Sequence, residues 1–148
     1  MRHCSVVLST LVALGTAGIA EAANYGTPSE AKAMLERVVV ALKSADKERS
    51  LVMMTKGEGG FKDRDLYPYC GGPNGMFTAH PTLLGKSLKT IRDKNGKPLG
   101  EEVYAVAKEG SFAEITYFWP RPGQDEPVEK VAYVTRVGDQ VCAVGYYK

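Results

Sequence analysis

The sequence KVAYVTRVGDQVCAVGYY at residues 130–147 has the pattern of a β-hairpin. Two runs rich in Val, Ala and Tyr flank the dipeptide Gly138-Asp139, and a two-residue turn of this kind joins antiparallel strands. A third run of similar composition precedes them, before a Pro-rich loop. The sequence therefore predicts a three-stranded antiparallel meander with strands at Phe112–Trp119, Lys130–Val137 and Val141–Tyr147.

Two more strands are predicted upstream of this meander. The turn-rich segment Gly71-Gly72-Pro73-Asn74-Gly75 separates the runs Leu66–Cys70 and Met76–His80, a pattern typical of a hairpin. A helical pattern over Pro98–Glu109, with Gly110 after its end, connects this hairpin to the meander as a crossover.

The N-terminal part predicts helices. Thr27-Pro28-Ser29-Glu30 reads as a capping box with proline at the first helical position, so we expect a long helix from Pro28 to about Ser44. A shorter helix is expected over Asp46–Thr55. The predicted fold class is α+β: a long N-terminal helix, a five-stranded antiparallel sheet with a helical crossover, and the helices on one face. Residues 28–148 form the single predicted domain.

Charge and the N-terminal sequence restrict the class of protein. The chain has 148 residues, 19 of them basic and 17 acidic, with a net charge of +2 and no basic cluster, so nucleic-acid binding is not expected. Residues 1–22 combine an early arginine, an apolar run and Ala20-Glu21-Ala22, typical of a secretory signal peptide. The run is about 14 residues, shorter than the roughly 20 that span a bilayer. We expect cleavage after Ala22 or Ala23, and a periplasmic or secreted protein that does not span the membrane.

Few reactive side chains remain after that cleavage. Cys70, Cys142 and His80 are then the only cysteines and the only histidine. A single histidine cannot form a His-rich zinc site, and no nucleophile motif such as G-x-S-x-G accompanies it. The sequence therefore predicts no catalytic residue, no metal site and no cofactor. In an oxidising compartment the two cysteines either form a disulfide or stay two buried thiols, and the sequence leaves both alternatives open.

A set of short motifs, in order along the chain, carries a resemblance to a known family. The motifs are Leu66-Tyr67-Pro68-Tyr69, Asn74-Gly75, Ala79-His80-Pro81, Leu84-Gly85-Lys86-Ser87-Leu88, Asp93-Lys94-Asn95-Gly96-Lys97-Pro98, Phe118-Trp119-Pro120-Arg121-Pro122, Lys130, Tyr133-Val134 and Val144-Gly145-Tyr146-Tyr147. Over nearly all of the predicted mature chain, the ordered set resembles single Cache domains, which have a PAS-like fold. Two positions depart from the family: Gly71-Gly72-Pro73 stands where an aspartate is common, and Gln140-Val141 where a tryptophan is common.

The resemblance implies an extracytoplasmic sensor module that binds a small ligand, often a short carboxylic acid, and takes part in signal transduction. Cache domains usually lie between two transmembrane helices of a chemoreceptor or kinase. We expect this chain to be the stand-alone, secreted form, so a membrane receptor, a transporter or a kinase would be its partner. The alternative is a structural or protein-interaction domain that kept the Cache fold and lost the ligand.

The resemblance also implies a set of ligand-binding residues. A carboxylate needs a cation or several hydrogen-bond donors inside a dry pocket, and a tyrosine adds a hydroxyl to an apolar wall. We expect Lys130 to supply the cation, Tyr133 and Tyr69 to supply hydroxyl donors, and Trp119 to form a wall. The remaining members of the predicted site are Tyr117 and His80.

Each of these residues also has an ordinary structural interpretation. Lys130 would then be a solvated lysine at a strand edge, the tyrosines and the tryptophan would pack in the core or on the sheet, and His80 would be a structural histidine. Two other residues, Arg64 and Lys86, are alternative cations for the ligand.

Overall fold

The computed structural model describes residues 24–148, so the predicted signal peptide at residues 1–22 lies outside the described residues. Within residues 24–148, no helix has the length and apolar character needed to cross a bilayer. The helices and strands, in chain order, are α1 (Pro28–Lys43), α2 (Lys47–Lys56), β1 (Pro68–Gly71), β2 (Phe77–Ala79), α3 (Leu99–Val106), β3 (Ala113–Pro120), β4 (Pro127–Val137) and β5 (Gln140–Tyr147).

The capping box at the start of α1 is confirmed. The Glu30 backbone N–H donates to the Thr27 hydroxyl at 3.3 Å, and the Thr27 N–H donates to the Glu30 carboxylate at 2.8 Å, which satisfies two N–H groups that the helix itself leaves unpaired. The second helix begins after Asp46, whose carboxylate accepts the Arg49 N–H. It ends at Gly57, which has φ 71°, a left-handed conformation that favours glycine.

The five strands form one antiparallel sheet in the order β2-β1-β5-β4-β3. This confirms the predicted five-stranded antiparallel sheet and the α+β class. The last strand in the chain, β5, is central in the sheet because it pairs with β1 on one side and with β4 on the other. Its residues are buried almost throughout, so both faces of the sheet must be covered.

Helices cover both faces of the sheet, which corrects the prediction that they lie on one face. On one face, Cys142 and Val144 of β5 pack with residues of α1 and α2. On the other face, Val141 and Ala143 pack with residues of α3 and of the connection before it. The reason is that β5 has apolar residues at consecutive positions, and successive side chains of a strand point to opposite faces.

Cys70 of β1 and Cys142 of β5 are direct neighbours across the sheet, and a disulfide joins them. Both side chains are completely buried beneath α1. Of the two alternatives that the sequence left open, the structure has the bridged one.

Candidate functional site

Lys130 is the most unusual side chain on the α3 face of the sheet. It extends from β4, and its exposed fraction is 0%. Its aliphatic part crosses β5 at Gly145, where a Cβ atom would lie only 2.5 Å from the Lys130 Cε atom. Glycine at this position therefore makes room for the buried lysine.

The Lys130 ammonium is surrounded by tyrosines. Its Nζ atom lies 4.1 Å from the centre of the Tyr67 ring and 4.6 Å from that of Tyr147, and it contacts the Tyr147 hydroxyl at 3.4 Å. Among residues 24–148, no Asp or Glu forms an ion pair with it. Two cation–π contacts and one phenol compensate only part of the cost of burying a charge.

Two further phenols, Tyr69 and Tyr117, are buried on the same face. Burial raises the pKa of Tyr69, an increase that the nearby Tyr117 phenol opposes, and burial also raises the pKa of Tyr117. Both phenols are therefore neutral near pH 7. The Tyr69 hydroxyl forms no hydrogen bond of ordinary geometry within the described part of the chain, which is uncommon for a buried polar group.

His80 lies against the aromatic cluster, with its ring centre 5.0 Å from that of Phe77 and 5.5 Å from that of Tyr67. Its Nδ1 atom accepts the backbone N–H groups of Thr82 and Leu83 at 3.0 and 3.1 Å, so the ring proton is on Nε2. Burial, followed by the positive charge of Lys130, lowers the pKa of His80 to about 4. The imidazole is therefore neutral near pH 7.

Two cavities lie beside these residues. We call the smaller one the inner cavity; its volume is about 20 Å³, the space of about one water molecule. It is lined by Tyr67, Tyr69, Phe77, His80, Leu83, Leu88, Ile91, Leu99, Tyr117 and Trp119. We call the larger one the outer pocket; its volume is about 420 Å³, and residues from segments 54–57, 61–67, 80–82 and 119–124 line it. Tyr67, His80 and Trp119 line both cavities and thus separate them.

The structure brings together five of the predicted ligand-binding residues. Tyr69, Tyr117, Trp119 and His80 line the inner cavity, and Lys130 lies beneath the Tyr67 ring at the edge of this cluster.

Tyr133 is not part of this group. It lies on the opposite face of the sheet, where it packs against the α1 cluster with its ring 6.2 Å from that of Tyr146. The prediction for Tyr133 is corrected for a simple reason: residues 130 and 133 are an odd number of positions apart on one strand, so their side chains point to opposite faces.

The two alternative cations have different positions. Arg64 lines the outer pocket and forms ion pairs with Glu30 at 2.6 Å and Asp63 at 2.8 Å. Lys86 is exposed and lines neither the inner cavity nor the outer pocket.

Sequence reasoning missed Tyr147 and Arg121. Tyr147 is the register partner of Lys130 on β5, and its hydroxyl donates to the Pro120 carbonyl at 2.7 Å. The Arg121 guanidinium lies between two rings, 4.3 Å from the Tyr25 centre and 5.0 Å from the Tyr147 centre. The available signal was the hairpin register about the turn at Gly138-Asp139, which pairs Lys130 with Tyr147.

Arg121 also connects the start of the described chain to the pocket. Its Nε atom lies 3.4 Å from the Asp65 carboxylate, and the other oxygen of that carboxylate accepts the Gly26 N–H at 2.7 Å. Because the arginine lines the outer pocket, residues 25 and 26 are fixed to the rim of that pocket.

The cluster brings together side chains that can donate hydrogen bonds to an anion. It combines a buried ammonium, neutral phenol donors and a neutral imidazole. No group of three or more His, Cys, Asp or Glu side chains within residues 24–148 is placed to hold a metal ion.

Comparison with known proteins identifies the family. The family model described as single Cache domain 2 matches residues 20–145. The methyl-accepting chemotaxis protein McpP of Pseudomonas putida is 37% identical over 59 residues, which are 40% of this chain and 11% of that receptor. The chain therefore spans only a small part of the length of this relative.

Solved structures share the fold. The crystal structure of a methyl-accepting chemotaxis protein from Vibrio parahaemolyticus has a TM-score of 0.64 and 22% identity, covering 80% of this chain and 86% of that one. A periplasmic sensor domain of a chemotaxis protein has a TM-score of 0.61 and 26% identity, covering 80% and 88%. A structure described as the basis for carboxylic acid recognition by a Cache chemosensory domain has a TM-score of 0.60 and 24% identity, covering 80% and 86%. Given the family match over residues 20–145, this chain belongs to the single Cache domain 2 family.

Proposed function

We propose that this protein is an extracytoplasmic sensor or binding module for a short carboxylic acid, without enzymatic activity. The observation that carries the proposal is the fully buried Lys130, which has no carboxylate partner among the described residues. A buried ammonium is costly without an anion, and the carboxylate of a ligand would supply one. A Cache chemosensory domain with the same fold has been described for carboxylic acid recognition, which supports the choice of ligand class.

In the proposed complex, one carboxylate oxygen accepts from the Lys130 ammonium and another from a phenol. Tyr69 is the phenol best suited to this role, because its buried hydroxyl has no hydrogen bond of ordinary geometry and lines the inner cavity. Charge-assisted hydrogen bonds of this kind are about twice as strong as neutral ones. Tyr117 and Trp119 would surround the apolar part of a small acid.

Access to this position requires side-chain movement. The inner cavity has room for about one water molecule, so an acid of two or three carbons must displace part of its lining. The side chains whose displacement joins the inner cavity to the outer pocket are Tyr67, His80 and Trp119. A ligand that displaces these three side chains would enter from the outer pocket.

The small inner cavity also favours a second candidate function. If the aromatic side chains simply fill the space above the sheet, the protein is a structural or protein-interaction domain with the Cache fold. In either case we expect its partner to be a membrane receptor, a transporter or a kinase; similar proteins include methyl-accepting chemotaxis proteins.

A thermal-shift titration of the purified protein with acetate, propionate and succinate distinguishes the two candidates. A ligand at a hundred times its Kd stabilises the folded state by about 2.7 kcal/mol, so the melting temperature must rise with concentration. Lys130→Met should abolish the shift. Lys32→Met, which removes an exposed lysine of α1 that lines neither cavity, is the matched control. A shift with none of the acids would favour the structural domain.

A further inference from the structure

The outer pocket differs from the inner cavity in its much larger volume. Its volume of about 420 Å³ falls within the range of small-molecule sites in proteins, about 300–1,000 Å³. A molecule far larger than a two-carbon acid can enter it without displacing Tyr67 or Trp119. The outer pocket can therefore act as a binding site independently of Lys130.

The charge of the outer pocket favours an anion. Among the described residues that line it, four are Lys or Arg and none is Asp or Glu. Arg64 and Arg121 form ion pairs with carboxylates outside the lining, whereas Lys56 and Lys62 form no ion pair with another described residue. The uncompensated positive charge of the pocket is thus at these two lysines.

The backbone places the two lysines on one wall. Lys56 is the last residue of α2, and Gly57 turns the chain in a left-handed conformation so that it doubles back. The wall is tight at this turn, because a Cβ atom on Gly57 would lie 2.9 Å from the Lys62 Cβ atom. Two ammonium groups on adjacent backbone segments can bind the two oxygens of one carboxylate.

Besides the four cations, the lining combines polar side chains (Thr55, His80, Thr82 and Gln124) with apolar and aromatic ones. Trp119 is half-buried and presents its ring to the pocket, whereas Met54, Phe61, Leu66 and Tyr67 are buried behind the pocket surface. A pocket with a cationic edge and an indole ring in its wall fits an anion that carries an aromatic ring, because the ring can stack against the indole.

We propose that the outer pocket is a second ligand site, which takes an aromatic carboxylate with its carboxylate at Lys56 and Lys62 and its ring against Trp119. This site goes beyond the proposed function, because it needs neither Lys130 nor a widened inner cavity.

Benzoate is the probe that tests this proposal. Calorimetric titration should give saturable binding to the wild-type protein, weakened about tenfold or more in Lys56→Gln/Lys62→Gln, since two charge-assisted hydrogen bonds are lost. The matched control Lys43→Gln/Lys108→Gln removes two exposed lysines outside the pocket lining and should bind within about twofold of the wild type. Benzyl alcohol, which has the ring without the charge, should bind at least about tenfold more weakly than benzoate.

Contact with the ring has its own readout, because Trp119 is the only tryptophan of the chain. Benzoate should move the indole N–H resonance of the wild-type protein. Lys130→Met should bind benzoate as the wild type does even where it no longer binds acetate, so the two proposals can fail separately. The outer site is overturned by absence of saturable binding, by unchanged affinity in Lys56→Gln/Lys62→Gln, by an unmoved indole resonance, or by loss of benzoate binding in Lys130→Met.

Discussion

Replacing Lys130 by methionine should make the ligand-free protein more stable, although it deletes a central side chain. Burial of an isolated ammonium costs several kcal/mol. Its two ring contacts, at 4.1 and 4.6 Å, return about 0.5–2 kcal/mol each, and the 3.4 Å contact with the Tyr147 hydroxyl returns at most about 1 kcal/mol. A deficit of about 2 kcal/mol remains in the folded state.

Methionine keeps the unbranched apolar stem of the lysine and removes the charge. The space over Gly145 stays filled, so the substitution leaves no large cavity. We therefore expect the free energy of unfolding to increase by about 2 kcal/mol, or the melting temperature to rise by roughly 8 °C for a domain of this size.

Urea unfolding of ligand-free wild-type and Lys130→Met protein measures this difference. The sample must be dialysed extensively, because a carboxylate carried through purification would stabilise the wild type alone. Lys32→Met is the control and should change the stability by no more than about 0.5 kcal/mol, because Lys32 is exposed and forms no ion pair or ring contact with another described residue. A loss of 2 kcal/mol or more in Lys130→Met would show that the protein itself compensates the ammonium, and the argument for an anionic ligand would fail.

Three other predictions concern single features of the site and the sheet. Tyr69→Phe should weaken short-acid binding about tenfold in calorimetry, because it deletes one donor to the carboxylate, whereas Tyr133→Phe, on the other face of the sheet, should leave the affinity unchanged; equal effects would exclude Tyr69 from the site. His80 has its pKa lowered to about 4 when folded, from an unfolded value of 6.5, so its contribution, at most about 3 kcal/mol, is present above pH 6.5 and lost as the pH falls toward 4. His80→Asn, which keeps an acceptor for the backbone N–H groups, should flatten the stability curve between pH 4 and 6.5, and an unchanged slope would contradict the assignment. Reduction of the disulfide should add the mass of two hydrogens to the native protein, and an unchanged mass would mean free thiols. The double Ala variant of Cys70 and Cys142 should lose about 4 kcal/mol of unfolding free energy, because the bridge closes a loop of 72 residues.

The sequence was sufficient to predict the helices and strands, because each has a local signal. The capping box at Thr27 fixed the start of α1, and the turn at Gly138-Asp139 fixed the hairpin of β4 and β5. The side on which a helix packs is a tertiary property. Because consecutive residues of β5 are buried, both faces of the sheet have to be covered. The same run of apolar residues in the sequence argued against placing all helices on one face.

The candidate site was predictable only to the extent that alternation along a strand is predictable. Tyr117 and Trp119 share a face, as the two-residue period predicts, and the same rule applied to Lys130 would have excluded Tyr133. The role of Tyr147 depends on the register between β4 and β5. The shape of the outer pocket depends on the packing of the C-terminal end of α2 against the Pro-rich loop, and no short sequence pattern specifies that packing.

The position of Arg121 between two aromatic rings has a mechanical consequence. One ring belongs to Tyr25, near the start of the described chain, and the other to Tyr147, whose hydroxyl touches the buried ammonium. A guanidinium held on both sides cannot shift toward one ring without leaving the other. Arg121 therefore links the end of β5 to the N-terminal segment through a path of three side chains, Tyr147, Arg121 and Tyr25.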